Sequence, residues 1–395
     1  MDLNVNKPRA TLLYSSIAKP IPLDGVSVTT RDLVPNLCAL GLRVLVATTD
    51  SGLGLAAYRD LGENLHVFPR TFAKPIEVSL GLVRRLPALV RQVDVCHFNG
   101  FFNVATVLGS LFARWAGKPY VISPVGNCVP SFRDCLRRPA DFGKRVFFFA
   151  LAKTALENAA AIVCTSGLEL QRMSAVVRSD RLVLIPPGSH AEDATRLSSP
   201  PPDVRPPYVV FLGRLSREKS LVFLFDVWAE IHRLAPDALL VIAGNDDFCP
   251  GYADELVEKA RQLSLLDSVR FVGSVMGASK HGLLAGSACM VLPSVRESFG
   301  QVVGEALTAG TPVVASTGTP WRAVAEANLG DWIPLEKDLW VACILAHLRR
   351  SGDARAELAR NCKAWTKANL PTWRDVAALH REVYAQAIEK RLILV

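Results

Sequence analysis

The nine cysteines of this 395-residue chain are scattered singly. No Cys-x-x-Cys pair and no cysteine–histidine zinc spacing occurs, which argues against a disulfide scaffold or zinc module and for reduced thiols in a cytoplasmic protein. No stretch reaches the roughly 18 to 20 apolar residues of a membrane span. The nearest, Val146 to Val163, is broken by Lys153, Glu157 and Asn158. The opening M-D-L-N-V-N-K-P-R lacks the apolar core of a signal peptide. Long basic runs and RNA-binding signatures are missing too, so the net charge of +8, from 45 basic and 37 acidic residues, does not require nucleic acid. It suits a nucleotide or the anionic face of a bilayer. Asp-x-Asp is also lacking; the nearest acidic pair is Asp246-Asp247 in G-N-D-D. A bound diphosphate would therefore be neutralised by protein cations, and no metal is expected.

What is present is a globular composition, 50% hydrophobic and 21% charged, with apolar side chains enough for two cores. Short apolar runs alternate with helical stretches: T-L-L-Y-S, Val28 to Leu40, R-V-L-V-A-T-T, Glu77 to Arg91, D-V-C-H-F, Val104 to Ala116, P-Y-V-I-S-P, Phe142 to Ala159, A-I-V-C-T-S and L-V-L-I-P-P. A proline-rich stretch from Pro186 to Pro207 has too few core formers to pack. The alternation then restarts in Y-V-V-F-L-G, Leu221 to Leu234, A-L-L-V-I-A-G, Asp254 to Leu263, V-R-F-V-G, A-C-M-V-L-P and P-V-V-A-S. Helices close the chain at Asp338 to Arg349, Asp353 to Asn369 and Thr372 to Arg391. This pattern predicts an α/β fold of two Rossmann-like, doubly wound parallel-sheet domains facing across a cleft, the usual ligand site of that architecture. The boundaries read as 1–188, a linker over 189–207, a second domain over 208–371 and a terminal segment over 372–395.

The most informative stretch is V-R-E-S-F-G-Q-V-V-G-E-A-L-T-A-G-T-P-V-V-A-S, with Glu297 and Glu305 eight residues apart. It reads as a strand (Ala288 to Leu292), a polar turn at Gly300, a short helix, a stop at Gly310 and a strand (Pro312 to Ser316). Such a crossover aims its helix N-terminus at the carboxyl edge of the sheet, where backbone N–H groups around Gly300 and Gln301 suit an anion or hydroxyl. Glu297 falls just before the helix and Glu305 about two turns inside it. Either glutamate alone reads as a surface acid near a helix end. Together, between apolar strands and beside Gly300, Gly304 and Gly310, they point to one elongated polar ligand, as a sugar nucleotide is.

Earlier in the same domain, V-F-L-G-R-L-S-R-E-K-S sets Gly213 and Arg214 at a strand end, with Lys219 five residues on. Two cations at a strand–turn–helix junction suit a diphosphate clamp. Candidates in the first domain are weaker. Gly25 in P-L-D-G-V-S would let backbone approach a ligand. D-V-C-H-F-N-G and P-Y-V-I-S-P-V-G-N-C end strands on the ligand edge with His97, Asn99, Ser123, Gly126 and Asn127. A histidine in an apolar run also reads as a buried, hydrogen-bonded one. The basic stretch 137–153, with Arg137, Arg138, Lys144, Arg145, Lys153 and Phe147 to Phe149, reads either as a helix lying on an anionic leaflet or as core.

With these motifs in place, the chain resembles the family-4 glycosyltransferases of GT-B fold. The carriers are G-R-L-S-R-E-K, the E-x7-E unit E-S-F-G-Q-V-V-G-E-A-L, and T-A-G-T-P-V-V-A-S-T-G-T-P-W, supported by H-F-N-G and G-K-P-Y-V-I-S-P-V-G. The resemblance implies an acceptor-binding first domain, a second domain for the nucleotide-sugar, and a terminal helix returning to the first. It implies that Arg214 and Lys219 hold the donor diphosphate and that Glu305 bonds the ribose. Glu297 with Phe299, Gly300 and Gln301 would contact the donor sugar, and backbone at Val275 and Met276 the base. Gly25, His97, Asn99, Gly126 and Asn127 would fall on the acceptor side. Two positions depart from the family pattern: Val125 replaces a frequent histidine, and the N-terminal glycine pair is reduced to Asp24-Gly25.

The function implied is retaining, metal-independent transfer from a UDP- or GDP-sugar to a lipid-linked or polysaccharide acceptor of bacterial surface glycan synthesis, with lipopolysaccharide and exopolysaccharide as examples. Its place would be cytoplasmic, with peripheral contact at the inner membrane through residues 137–153. A sugar-nucleotide epimerase of the same fold, or a non-catalytic nucleotide-sugar-binding protein, are the alternatives. The first would isomerise donor without acceptor; the second would bind without turnover.

Overall fold

The computed structural model describes residues 10–16, 25–49, 62–71, 78–101, 103–125, 152–189, 204, 207–247 and 249–393. Most of the expected linker, 190–203 and 205–206, lies outside them. The chain divides into two units, Met1–Pro187 with Trp373–Val395, and Gly188–Thr372.

The first unit runs β1 (Thr11–Ser16), α1 (Gly25–Ala39), β2 (Arg43–Thr49), β3 (Leu65–Phe68), α2 (Leu80–Arg91), β4 (Val95–Asn99), α3 (Val104–Trp115), β5 (Tyr120–Ser123), α4 (Lys153–Glu157), β6 (Ala161–Cys164), α5 (Gly167–Met173) and β7 (Leu182–Leu184). Its strands form one seven-stranded sheet, ordered β3-β2-β1-β4-β5-β6-β7, and every pairing is parallel. Parallel strands are covered on both faces, which is why their sequences are unbroken apolar runs rather than alternating ones. One face packs Leu82, Leu86 and Leu89 of α2 with Phe98 and Ile122. The other packs Leu33 and Leu37 of α1 with Leu12 and Tyr14, and with Trp373, Val376 and Tyr384 of the last helix.

The second unit runs β8 (Tyr208–Leu212), α6 (Leu221–Leu234), β9 (Leu239–Ala243), α7 (Tyr252–Gln262), β10 (Val269–Gly273), α8 (Gly277–Ala285), β11 (Cys289–Leu292), α9 (Gln301–Ala309), β12 (Val313–Ser316), α10 (Ala323–Glu326), β13 (Gly330–Ile333), α11 (Lys337–Leu348) and α12 (Gly352–Asn369). Its sheet is ordered β10-β9-β8-β11-β12-β13, again all parallel. The last helix, α13 (Trp373–Ile393), belongs to the first unit and packs along α1.

Both sheets are doubly wound, as the alternation predicts. In the second, the winding reverses between β8 and β11, so the loops leaving their carboxyl ends diverge to opposite faces and leave a crevice. Five elements are additional to the sequence reading: β3, β13, α5, α8 and α10. Edge strands β3 and β13 are only half-buried and lack a long aliphatic run. Helix α8 contains Gly277, Gly282 and a His, a composition poor in helix formers. Burial of Leu283 and Leu284 in the core overrides that propensity.

Candidate active site

The two loops at the reversal carry most of the predicted donor residues; Val275 and Met276 follow β10, and Glu305 lies within α9. After β8 the chain passes through Gly213, at φ 153°, and half-buried Arg214. It then makes a single 3-10 turn, Arg217–Lys219, before Ser220 enters α6 in the left-handed region, at φ 51°. Such a conformation at a non-glycine residue stores about 1 kcal/mol or more, and the surroundings hold it. The Arg217 guanidinium donates to both carboxylate oxygens of Glu255, at 2.9 and 2.8 Å, and lies 5.1 Å over the Tyr252 ring. The carbonyl of Glu218 accepts from the Val295 amide at 2.8 Å, tying the β8 loop to the β11 loop.

The β11 loop is built as closely. Ser294 is fully buried, and its Oγ donates to Glu297 Oε1 at 3.0 Å. The Glu297 amide donates to the Gly318 carbonyl at 3.0 Å. A Cβ on Gly318 would stand 2.2 Å from the Val295 carbonyl oxygen, so only glycine lets the segment after β12 support this loop. Trp321 Nε1 donates to the Phe299 carbonyl, and the two rings meet edge to face at 5.1 Å. Gly300 then turns at φ 79° into α9 as its N-cap residue. Among Gly300's nearest neighbours, Leu292 and Trp321 would stand 3.4 Å from an added Cβ.

These loops bring Lys219 and Glu297 together: Lys219 Nζ donates to Glu297 Oε1, with the side chains only 12% and 14% exposed. Glu305 sits on the fifth residue of α9, one turn inside rather than two. Its Oε1 accepts from Lys280 Nζ of α8 at 2.7 Å, both side chains being 24% exposed. Each glutamate is therefore matched by a lysine from another element, so the acidic pair does not confront an incoming polyanion with two uncompensated charges. Val275 is buried and Met276 exposed, at the position from which α8 starts. The sequence reading did not find Lys280, Ser294, Gly318 or Trp321. Of these, Gly318 and Trp321 fell within a quoted motif, T-A-G-T-P-V-V-A-S-T-G-T-P-W, but neither was singled out.

The first unit gives a different picture for its candidates. His97 is buried and hydrogen-bonded, the second of the two settings its apolar run allows. It is 1% exposed, its Nδ1 is 2.6 Å from the Tyr384 hydroxyl and its Nε2 is 2.8 Å from Ser123 Oγ. Both ring nitrogens are thus taken. Burial, with His380 stacked at 5.6 Å, holds its pKa well below the usual histidine value. Asn99 is buried also, donating to Thr30 Oγ1 at 3.2 Å. Gly25 opens α1. Gly126, Asn127 and nearly all of 137–153 lie outside the described residues; at the end of that stretch Lys153 pairs with Glu157 at 3.5 Å. Among the described residues no group of three or more His, Cys, Asp or Glu is placed to hold a metal ion, and no helix is long and apolar enough to cross a membrane.

Comparison with known proteins follows the same division. Residues 195–337 match the model of glycosyl transferases group 1, and residues 24–188 that of the glycosyl transferase 4-like domain. Glycogen synthase of Mycobacterium tuberculosis is 31% identical over 191 residues, 47% of this chain and 44% of that protein. The chain thus spans less than half the length of that curated relative. HepE of Anabaena, solved in complex with UDP and glucose, superposes with a TM-score of 0.77 at 19% identity, over 95% of this chain and 100% of that one. WaaG, a glycosyltransferase involved in lipopolysaccharide biosynthesis, gives 0.68 at 15% identity, over 97% and 99%. These structural likenesses are of fold. With one model on each unit and a doubly wound parallel sheet in each, the chain belongs to the family-4 glycosyltransferases of GT-B fold.

Proposed function

We propose that the chain transfers a hexose from a UDP- or GDP-sugar to a lipid-linked or polysaccharide acceptor, with retention of anomeric configuration. The carrying observation is the meeting of Lys219 and Glu297 at the winding reversal of the second sheet, beside the start of α9. In this reading Arg214 and Lys219 hold the donor diphosphate. An ammonium has three N–H donors, so Lys219 can serve a phosphate oxygen while keeping Glu297. Glu297 and the backbone of Phe299, Gly300 and Gln301 take the sugar hydroxyls, Glu305 the ribose, and backbone at Val275 and Met276 the base.

In the reaction the anomeric carbon–phosphate oxygen bond breaks as the acceptor oxygen bonds that carbon on the same face. The acceptor hydroxyl proton passes to the departing phosphate oxygen. Charge grows on that diphosphate, where two fixed cations lower the barrier without a metal. Support for the donor class comes from HepE, solved with UDP-glucose, and for a surface-glycan acceptor from WaaG. Contact of residues 137–153 with an anionic inner-membrane surface belongs to the same proposal, and would place the acceptor and enzyme together.

The test is a calorimetric panel of UDP, GDP, ADP and their sugars, followed by turnover with membrane-derived acceptor lipids. Binding of one nucleotide series, and product formed only when acceptor is present, is the expected result. A new sugar-nucleotide isomer formed without acceptor would indicate the epimerase instead.

A further inference from the structure

We infer that Lys280, which no sequence motif marks, is a positioning residue that sets Glu305 for ribose recognition and so controls discrimination of ribo- from deoxyribonucleotides. This rests on the reading of Glu305 as the ribose ligand.

Lys280 is the fourth residue of α8, the nine-residue helix Gly277–Ala285 that follows β10. Helix α8 packs against α9, and the lysine reaches across to Glu305 Oε1 at 2.7 Å, 25 residues away in sequence. Both side chains are about three-quarters buried. A carboxylate here faces two costs in a nucleotide site. Removal from water penalises its charge, and a nearby diphosphate repels it. The lysine offsets both, and it takes one oxygen along a fixed direction, leaving the second as the acceptor for a vicinal diol. A free glutamate would rotate about its side-chain bonds and select ribose poorly, since discrimination requires a buried acceptor left unpaired by the wrong ligand.

The anchor at each end supports a built pair. Glu305 lies between Gly304, whose added Cβ would stand 3.1 Å from Leu370, and Ala306 in the core, so its backbone cannot shift to follow a ligand. Lys280 precedes Gly282, Leu283 and Leu284, all buried. The buried neighbours of each residue thus hold the two packed helices between which the Lys280 side chain reaches Glu305.

The experiment is calorimetric titration of UDP and GDP, each beside its 2′,3′-dideoxy counterpart, against wild type, Lys280→Met, Lys280→Arg and Glu305→Ala, with a thermal melt for each variant. Wild type is expected to favour the ribose form by about tenfold or more, one to two hydrogen bonds' worth. Lys280→Met should cut that preference to roughly threefold or less, and Lys280→Arg should keep it. A lysine that merely braces the fold would weaken both forms alike and leave their ratio unchanged, and that result overturns the inference. Should Lys280→Met fail to fold, Lys280→Arg against Lys280→Gln decides by the same ratio. If Glu305→Ala keeps the wild-type ratio, or wild type shows no preference, the ribose role of Glu305 itself fails, and the inference with it.

Discussion

Lys219 and Glu297 come from loops 78 residues apart and close on each other across the point where the second sheet reverses its winding. Neither loop stands alone: the Glu218 carbonyl accepts from the Val295 amide, and Ser294 holds the carboxylate from below. A pair this enclosed is costly to break from one side only, because the remaining charge is left without a partner.

Lys219→Met is therefore expected to destabilise the second unit by about 3 kcal/mol, while Lys219→Met with Glu297→Gln costs less than the sum of the singles. Urea unfolding of the four proteins of this cycle measures the coupling. Additive effects would show that the contact contributes nothing.

In catalysis the two residues should separate. Removing the Lys219 cation should weaken nucleotide binding by roughly a hundredfold, about 2 to 3 kcal/mol. Glu297→Ala should lower turnover more than nucleotide affinity. Steady-state kinetics beside calorimetry distinguish the two patterns.

Gly318→Ala tests the support under the β11 loop. The new methyl would overlap the carbonyls of Val295 and Ser294, at 2.2 and 2.6 Å, and backbone cannot yield as a side-chain tip does. A loss above about 2 kcal/mol is expected, with activity falling further than stability accounts for. Gly167→Ala, where an added Cβ meets nothing within 4 Å, is the matched control.

The first unit should weaken in acid. Burial holds His380 at a pKa of about 4, against 6.5 when unfolded, and lowers His97 in the same direction. As pH falls from 6.5 towards 4, the unfolded chain takes up protons that the folded chain refuses. Stability therefore declines across that window, by roughly 3 kcal/mol for His380 alone. Hydrogen exchange in α13, which carries His380 and Tyr384, should rise over the same range. His380→Gln should flatten the pH profile. Tyr384→Phe should lower stability by about 1 to 3 kcal/mol at neutral pH, since it strands His97 Nδ1 in the core.

Most of the sheet framework was legible because parallel strands between helices must be apolar on both faces. Runs such as Y-V-V-F-L and L-L-V-I-A admit little else. The E-x7-E unit was legible because its glycines, at Gly300 and Gly310, punctuate the helix in the left-handed conformation. What was hidden is long-range. Nothing local in G-A-S-K-H-G announces that Lys280 meets Glu305, or that Gly318 underlies Glu297. His97 illustrates the converse: its setting allowed a core or a ligand role, and only the return of α13 with Tyr384 and His380 decides for the core. Short α5 could have been read from Ser166 and Glu169. Ser166 Oγ accepts from the Glu169 amide at 3.2 Å, the N-terminal capping signature.

The account is tested most directly by a crystal structure of the chain with UDP or GDP, whichever the panel shows to bind. It predicts diphosphate oxygens within hydrogen-bond distance of Lys219 Nζ and the Arg214 guanidinium, and ribose hydroxyls on Glu305 with Lys280 still paired. A nucleotide seated away from the β8 and β11 loops, with these four side chains turned from it, would contradict it.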